Sequence, residues 1–200
     1  MTEPLFETHA RGLSWLADPA EAMQRASHAL VGPDRAVWVI DPVDVEGLDG
    51  RIAALGQPTA VVQLLDRHRR DCAAVADRLG VELVKLPFDG LASSPFEVIA
   101  ISRSRWWREV ALWWPEQRLL VIAEALGTCR FFRSGEEPVG VHPLRRVRPP
   151  RGLAALGPLH LLCGHGRPIE GPEVAASIED AVANAGRRIP GAVRALIRAG

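Results

Sequence analysis

The chain has 200 residues and a mass of 21.7 kDa, and 48% of its residues are hydrophobic. This length predicts a single domain, residues 1–200, whose core folds without disulfide or metal crosslinks. The 24 basic and 24 acidic residues give a formal net charge of zero, which argues against a strongly basic nucleic-acid-binding protein. Three separated cysteines, no N-terminal signal pattern and no apolar run of membrane-spanning length predict a cytoplasmic protein without a membrane partner.

Short apolar runs alternate with amphipathic segments in the first half of the chain, which is typical of an α/β or α+β protein. Residues 36–40 and 59–65 are predicted to form buried strands. Apolar residues at helical spacing predict one helix over 45–55, before Gly, and a second over 72–79, again before Gly. Alternating residues 81–86 predict a third strand.

The second half begins with three apolar runs, residues 96–101, 109–114 and 119–123, and the short break between the last two predicts an antiparallel hairpin. Five prolines make residues 133–158 a predicted long loop or lid. The remaining predicted elements are a strand and two helices: 159–163, around 174–182, and 188–200.

Polar side chains concentrate where strands end. Asp66, His68, Arg70 and Asp71 lie between a predicted strand and a helix, at the strand end where α/β proteins place ligands. A solvated turn with Asp71 as helix cap is the alternative. His165 lies between two glycines after a later strand, as a ligand, an acid–base group or a surface residue. Glu124 follows the apolar run 119–123, where a buried carboxylate requires a partner or a metal.

The order of these segments resembles the metallo-β-lactamase fold superfamily, which includes the hydroxyacylglutathione hydrolases. In that superfamily an H-x-H-x-D-H motif joins a strand to a helix, a later strand ends in G-D-x, and a final His follows the last strand. The resemblance covers about residues 35–185, with residues 1–34 and the helix 188–200 packed on this core. It implies a four-layer αββα sandwich.

The family's metal ligands are only partly matched. At the motif positions, Asp66 replaces the first His, His68 keeps the second, Arg70 replaces the Asp, and Asp71 replaces the third His; Glu124 replaces the bridging Asp, and His165 matches the final His. The family's middle His has no counterpart, because no His occurs between His68 and His142.

The resemblance leaves two hypotheses for function. A guanidinium group carries a permanent positive charge and no lone pair, so Arg70 is expected to pair with Asp66, Asp71 or Glu124 in the cation's place. This predicts a degraded metal site without a cofactor. The protein would then be non-catalytic or weakly catalytic, and would bind a small anionic ligand or a partner.

The alternative is a hydrolase of an ester, thioester or phosphoester that uses a rearranged site. One divalent transition metal ion (Zn, Mn or Fe) would be held there. The candidate ligands are Asp66, His68, Asp71, Glu124 and His165. His68 and His165 would act as ligands or bases, and Arg70 would pair with a substrate anion. Whether the chain is an enzyme stays open at this point.

Six tryptophans and no tyrosine are unusual, and Trp106 lies among arginines. Trp106, Arg103 and Arg105, together with Arg70, are candidates for binding an anion. Packing in the core is the alternative for the tryptophans. The balanced charge disfavours nucleic acid as the ligand, and exposed Trp and Arg side chains would also suit a homodimer interface.

Overall fold

The computed structural model describes residues 2–68 and 70–190, which form two packed sheets. The first sheet contains six strands in chain order, antiparallel from the first to the fourth and parallel from there to the sixth. These strands are β1 (Leu5–His9), β2 (Gly12–Leu16), β3 (Ala26–Val31), β4 (Ala36–Ile40), β5 (Gln57–Gln63) and β6 (Glu82–Lys85).

The second half of the chain forms the other sheet and a two-stranded ribbon. Its strands are β7 (Glu97–Ser104), β8 (Trp107–Trp114), β9 (Leu119–Ile122), β10 (Leu126–Gly127), β11 (Gly140–Val141), β12 (His160–Cys163) and β13 (Ile169–Glu170). The second sheet has the order β13-β12-β9-β8-β7, and β10 pairs with β11. The predicted antiparallel hairpin is formed by β8 and β9. The helices are α1 (Leu48–Leu55), α2 (Cys72–Leu79) and α3 (Val174–Ala183).

Three apolar clusters arrange these elements in four layers. The cluster between the sheets includes Trp38, Phe96 and Trp114, whose rings meet edge to face. A second cluster packs α1 and α2 on the outer face of the first sheet, and a third packs α3 on the outer face of the second sheet. The αββα sandwich predicted from the sequence is therefore confirmed.

The N-terminal segment differs from the expectation that residues 1–34 pack onto a core that begins near residue 35. Strands β1 to β3 form half of the first sheet, and Leu13, Trp15 and Ala29 belong to the cluster beneath α1 and α2. The segment is part of the sheet because β2 and β3 are buried along almost their whole length, as β4 is. The predicted helix 188–200 lies almost wholly outside the described residues. No helix in the described ranges is long and apolar enough to cross a bilayer.

A polar bridge through His28 connects the two sheets. The fully buried His28 accepts a hydrogen bond from Ser14 Oγ at Nδ1 (2.8 Å) and donates one from Nε2 to the Cys163 carbonyl (3.0 Å). Ser14 is on β2, whereas Cys163 ends β12 in the other sheet. Burial lowers the pKa of His28 from 6.5 to about 3, so its imidazole stays neutral in the folded protein.

This bridge predicts a specific acid sensitivity. The unfolded chain protonates His28 below pH 6.5, whereas the folded chain protonates it only near pH 3. Acidification therefore removes stability, by about 1.4 kcal/mol per pH unit for one such group. We expect His28→Gln to be less stable than wild type at pH 7, and the difference to shrink by about that slope between pH 6 and 4. Urea unfolding at several pH values measures it, and parallel curves for the two proteins would contradict the assignment.

Candidate metal centre

The position of His68 is fixed by Asp41, which follows β4. Asp41 is buried, and its backbone has a φ of 43°, in the left-handed region. One carboxylate oxygen accepts the Leu64 backbone N–H (3.1 Å), and the other lies 3.1 Å from His68 Nδ1. Burial raises the pKa of Asp41 to about 6, so the carboxylate is ionised at neutral pH. It therefore accepts a hydrogen bond from the Nδ1–H group of His68.

His165 follows β12, between two glycines that are needed for close packing. A side chain at Gly164 would come within 2.5 Å of the Ala123 carbonyl oxygen and 3.0 Å of His68 Cε1. His165 Nδ1 lies 3.0 Å from the Met23 carbonyl oxygen, which can only accept a hydrogen bond. His165 Nε2 is therefore the nitrogen with the free lone pair.

The two imidazoles direct their remaining lone pairs at each other. His68 Nε2 and His165 Nε2 are 3.3 Å apart, and the protons of both rings are used at Nδ1. Burial, and then the charge of Arg70, lower the pKa values of both imidazoles well below the ordinary value, which keeps them neutral. Two lone pairs at this separation repel each other unless a cation lies between them.

Glu124 completes the cluster from the end of β9. Its Oε1 lies 3.9 Å from His68 Nε2 and 3.7 Å from His165 Nε2. Its Oε2 is buried without a hydrogen-bond partner. Burial, and then the neighbouring carboxylate of Glu109, raise the pKa of Glu124 to about 7. A buried carboxylate with an unpaired oxygen is costly in the absence of a bound cation.

These three side chains fit one metal ion. A point equidistant from three atoms with the separations given above lies about 2.1 Å from each, which is the length of a Zn–N or Zn–O bond. Two neutral imidazoles and one carboxylate form a ligand set that binds zinc or iron and leaves further coordination positions open. The ligand atoms lie within 4.8 Å of one another. Among the described residues, these three form the one group of His, Cys, Asp or Glu side chains that could hold a metal ion.

Arg70 does not occupy the cation's place. Its guanidinium group donates to three backbone carbonyl oxygens: those of Ala26, Asp41 (2.9 Å) and Gly164 (2.8 Å). The sequence predicts an ion pair between Arg70 and Asp66, Asp71 or Glu124. None of the ion pairs in the described part of the chain joins these residues. Carbonyls hold the guanidinium because Arg70 lies where the ends of β3, β4 and β12 converge.

Asp66 and Asp71 also lie outside the cluster. Asp66 Oδ2 accepts the backbone N–H of Arg108 (3.3 Å), which places it against the β7–β8 hairpin. Asp71 precedes α2, and its Oδ2 accepts the backbone N–H of Asp44 (2.8 Å). The five candidate metal ligands thus reduce to His68, Glu124 and His165, because the two aspartates bind neighbouring loops.

Three of the four anion-binding candidates, all except Arg70, lie on the β7–β8 hairpin. Arg103 packs over the Phe88 ring at 4.2 Å, and Arg105 packs over the Trp106 ring at 4.3 Å. Trp106 is exposed at the turn of the hairpin. None of the three belongs to the group formed by His68, Glu124 and His165.

A cover of aromatic residues shields the cluster from solvent. The Phe132 ring stacks on His165 at 5.2 Å, and His142 contacts both Phe132 (5.3 Å) and Trp107 (4.9 Å). No motif in the sequence indicates these residues or the fully buried Glu109. The Glu109 carboxylate accepts the Trp107 indole N–H and the backbone N–H groups of Glu124 and Ala125. An acidic residue in an apolar strand is the one signal that could have indicated Glu109.

Similar folds occur among solved structures. The metallo-β-lactamase DIM-1 is 12% identical to this chain, with 92% of this chain and 98% of that chain covered and a TM-score of 0.54. FIM-1 from Pseudomonas aeruginosa, in its mono-zinc form, is 9% identical, with coverages of 92% and 97% and a TM-score of 0.54. A metallo-β-lactamase from Erythrobacter litoralis is 12% identical, with coverages of 92% and 93% and a TM-score of 0.54. No family model and no curated protein matches the chain.

The carbonyl contacts of Arg70 predict that this residue stabilises the fold. Arg70→Met removes three hydrogen bonds from a charged donor, each worth about 1.5–3 kcal/mol, although the Asp41 and Gly164 carbonyls keep a second donor in Ser27 Oγ and the Ala26 N–H. We expect a loss of at least about 3 kcal/mol in the free energy of unfolding. Arg105→Met is the control, because exposed Arg105 should change stability by less than about 0.5 kcal/mol. Equal stability of the two variants in urea unfolding would refute the structural role of Arg70.

Proposed function

Because the chain has the metallo-β-lactamase fold, we propose that it is a hydrolase that works with one divalent transition metal ion held by His68, Glu124 and His165. The observation that carries this proposal is the convergence of two unprotonated imidazole nitrogens and one carboxylate at bonding distance from a common point. The substrates we propose are esters, thioesters or phosphoesters.

When bound, the metal supplies a Lewis acid and a water molecule that ionises at neutral pH. The chain's own residues prepare the site. Asp41 fixes the tautomer and ring orientation of His68, as carboxylates commonly do for metal-binding histidines. The free oxygen of Glu124 can accept a proton from water. The partly exposed Arg67 adds positive charge near His68 and Glu124, which favours an anionic substrate.

Metal content tests the ligand set directly. Protein purified without a His-tag and dialysed against Zn, Mn or Fe(II) should hold close to one metal ion per chain by mass spectrometry. His165→Ala and Glu124→Gln should each hold little metal, because each removes one of three ligands. His160→Ala is the matched control, since His160 lies beside Glu170 in a different cavity. A wild-type protein that remains empty would overturn the proposal.

Asp41→Asn tests the orientation of His68. The amide keeps the size of the side chain but removes the negative charge that accepts the His68 Nδ1 proton. We expect metal affinity to fall about 10–100-fold, the range typical of such outer contacts. Competition with a chelating indicator measures this, with circular dichroism as the check on folding. An unchanged affinity would show that Asp41 does not act through His68.

Non-catalytic ligand or partner binding is the second candidate, and the aromatic cover favours it. His68, Glu124 and His165 are all buried, so a substrate must displace Phe132 or His142 to reach them. A panel of chromogenic esters, thioesters and phosphodiesters separates the two candidates. Turnover that depends on metal and is lost in Glu124→Gln supports the hydrolase, whereas metal binding without any turnover supports the second candidate.

A further inference from the structure

Most of the exposed large apolar side chains among the described residues belong to two segments that meet. Among the described residues, the exposed large hydrophobic side chains are Trp106 (71%), Leu144 (72%), Val147 (78%) and Ile189 (37%). The first three, which are also the most exposed, belong to two segments: the turn of the β7–β8 hairpin and the stretch 143–148. An exposed apolar group that is not scattered singly indicates a contact surface.

The two segments meet at Trp107. The Trp107 ring contacts the His142 ring at 4.9 Å and lies 5.5 Å from the Arg145 guanidinium carbon. Arg67 packs over the same ring at 4.3 Å and donates a hydrogen bond to the Trp106 carbonyl. Leu144 and Val147 lie one and two residues from Arg145, in the segment that meets the hairpin at Trp107.

The two segments are also rich in arginine. Residues 98–108 and 138–158 together contain seven Arg and no acidic residue. Because the whole chain has zero net charge, its remaining residues hold 17 basic against 24 acidic side chains. The segments that expose these apolar side chains therefore carry a local excess of positive charge, although the buried Arg146 is paired with Glu137.

The hairpin arginines lie close enough to repel one another. Arg103 faces Arg108 directly across β7 and β8, and like charges in that position destabilise a sheet. Both guanidinium groups lie against the Phe88 ring, at 4.2 and 5.5 Å. Within the described residues, neither of these arginines nor Arg105 forms an ion pair with a carboxylate. We call the combined surface the rim face; its members are Arg103, Arg105, Trp106, Arg108, Leu144 and Val147.

We propose that the rim face docks on a bilayer surface that contains anionic lipid. Trp106, Leu144 and Val147 would enter the boundary between headgroups and acyl chains, and the arginines would bind lipid phosphates. Leu144 and Val147 favour lipid over single-stranded nucleic acid, because aliphatic side chains cannot stack on bases as aromatic ones do. The sequence predicts no membrane partner because no apolar run is long enough to span a bilayer. Docking at the boundary between water and lipid needs no spanning segment. This inference does not depend on the proposed hydrolase activity.

Vesicle sedimentation tests the proposal. Wild-type protein should sediment with vesicles of phosphatidylcholine mixed with phosphatidylglycerol, should stay in solution with phosphatidylcholine alone, and should be released by salt. Arg105→Gln and Arg108→Gln should each weaken binding about fivefold. The triple variant Trp106→Ser, Leu144→Ser and Val147→Ser should not bind. Ile189→Ser is the control, because it removes an exposed apolar side chain outside the rim face. Thermal unfolding should be similar for all variants.

Tryptophan fluorescence locates the contact. Trp106 is exposed, whereas the other five tryptophans are buried, so a blue shift on anionic vesicles should come from Trp106. Trp106→Phe should still sediment with the vesicles but lose the shift.

Three results would overturn the proposal. They are equal binding to neutral and anionic vesicles, full binding by the triple variant, and binding of single-stranded oligonucleotide without binding of vesicles. A concentration-dependent dimer that is lost in the triple variant and ignores vesicles would assign the rim face to a second copy of the chain instead.

Discussion

The guanidinium group of Arg70 holds together the edge of the sandwich on which the candidate site is built. It donates to carbonyl groups at the start of β3, just after β4, and just after β12, so it links both sheets. Arg70 and Asp41 both have positive φ values, of 31° and 43°. Non-glycine residues in this region cost about 1–3 kcal/mol each and persist where the surrounding contacts hold them in place. Here those contacts hold the backbone of Asp41, whose carboxylate faces His68, and the backbone of Gly164, the residue before His165.

This arrangement also bears on the number of metal ions that the proposed site would hold. A permanent cation already lies beside Asp41, so two carboxylates, Asp41 and Glu124, face one guanidinium group and one candidate metal position. A second divalent ion would add charge without adding ligands, because Asp66 and Asp71 are hydrogen-bonded to other loops. Of the six motif positions named in the family resemblance, His68, Glu124 and His165 form a single cluster in this chain.

The sequence predicts the layers of this fold well because apolar periodicity reports which side of an element is buried. The hairpin of β8 and β9, helix α2 with its terminal Gly80, and the strand before His165 were all predictable in this way. The candidate metal ligands could be predicted only as a larger set of residues, because a motif position does not reveal which group a side chain contacts in the folded protein. Arg70 illustrates this limit: its carbonyl partners come from three distant segments, so no local pattern distinguishes them from carboxylates.

The stretch 142–148 connects the interior of the site with the rim face. His142 points inward, against Phe132 and Trp107, whereas Leu144 and Val147 point into solvent. A short 3₁₀ turn at Pro143–Arg145 brings residues of opposite character to the two sides of one segment. A molecule bound to Leu144 and Val147 would therefore contact the segment that carries His142. The aromatic cover over His68, Glu124 and His165 and part of the exposed apolar surface belong to one structural element.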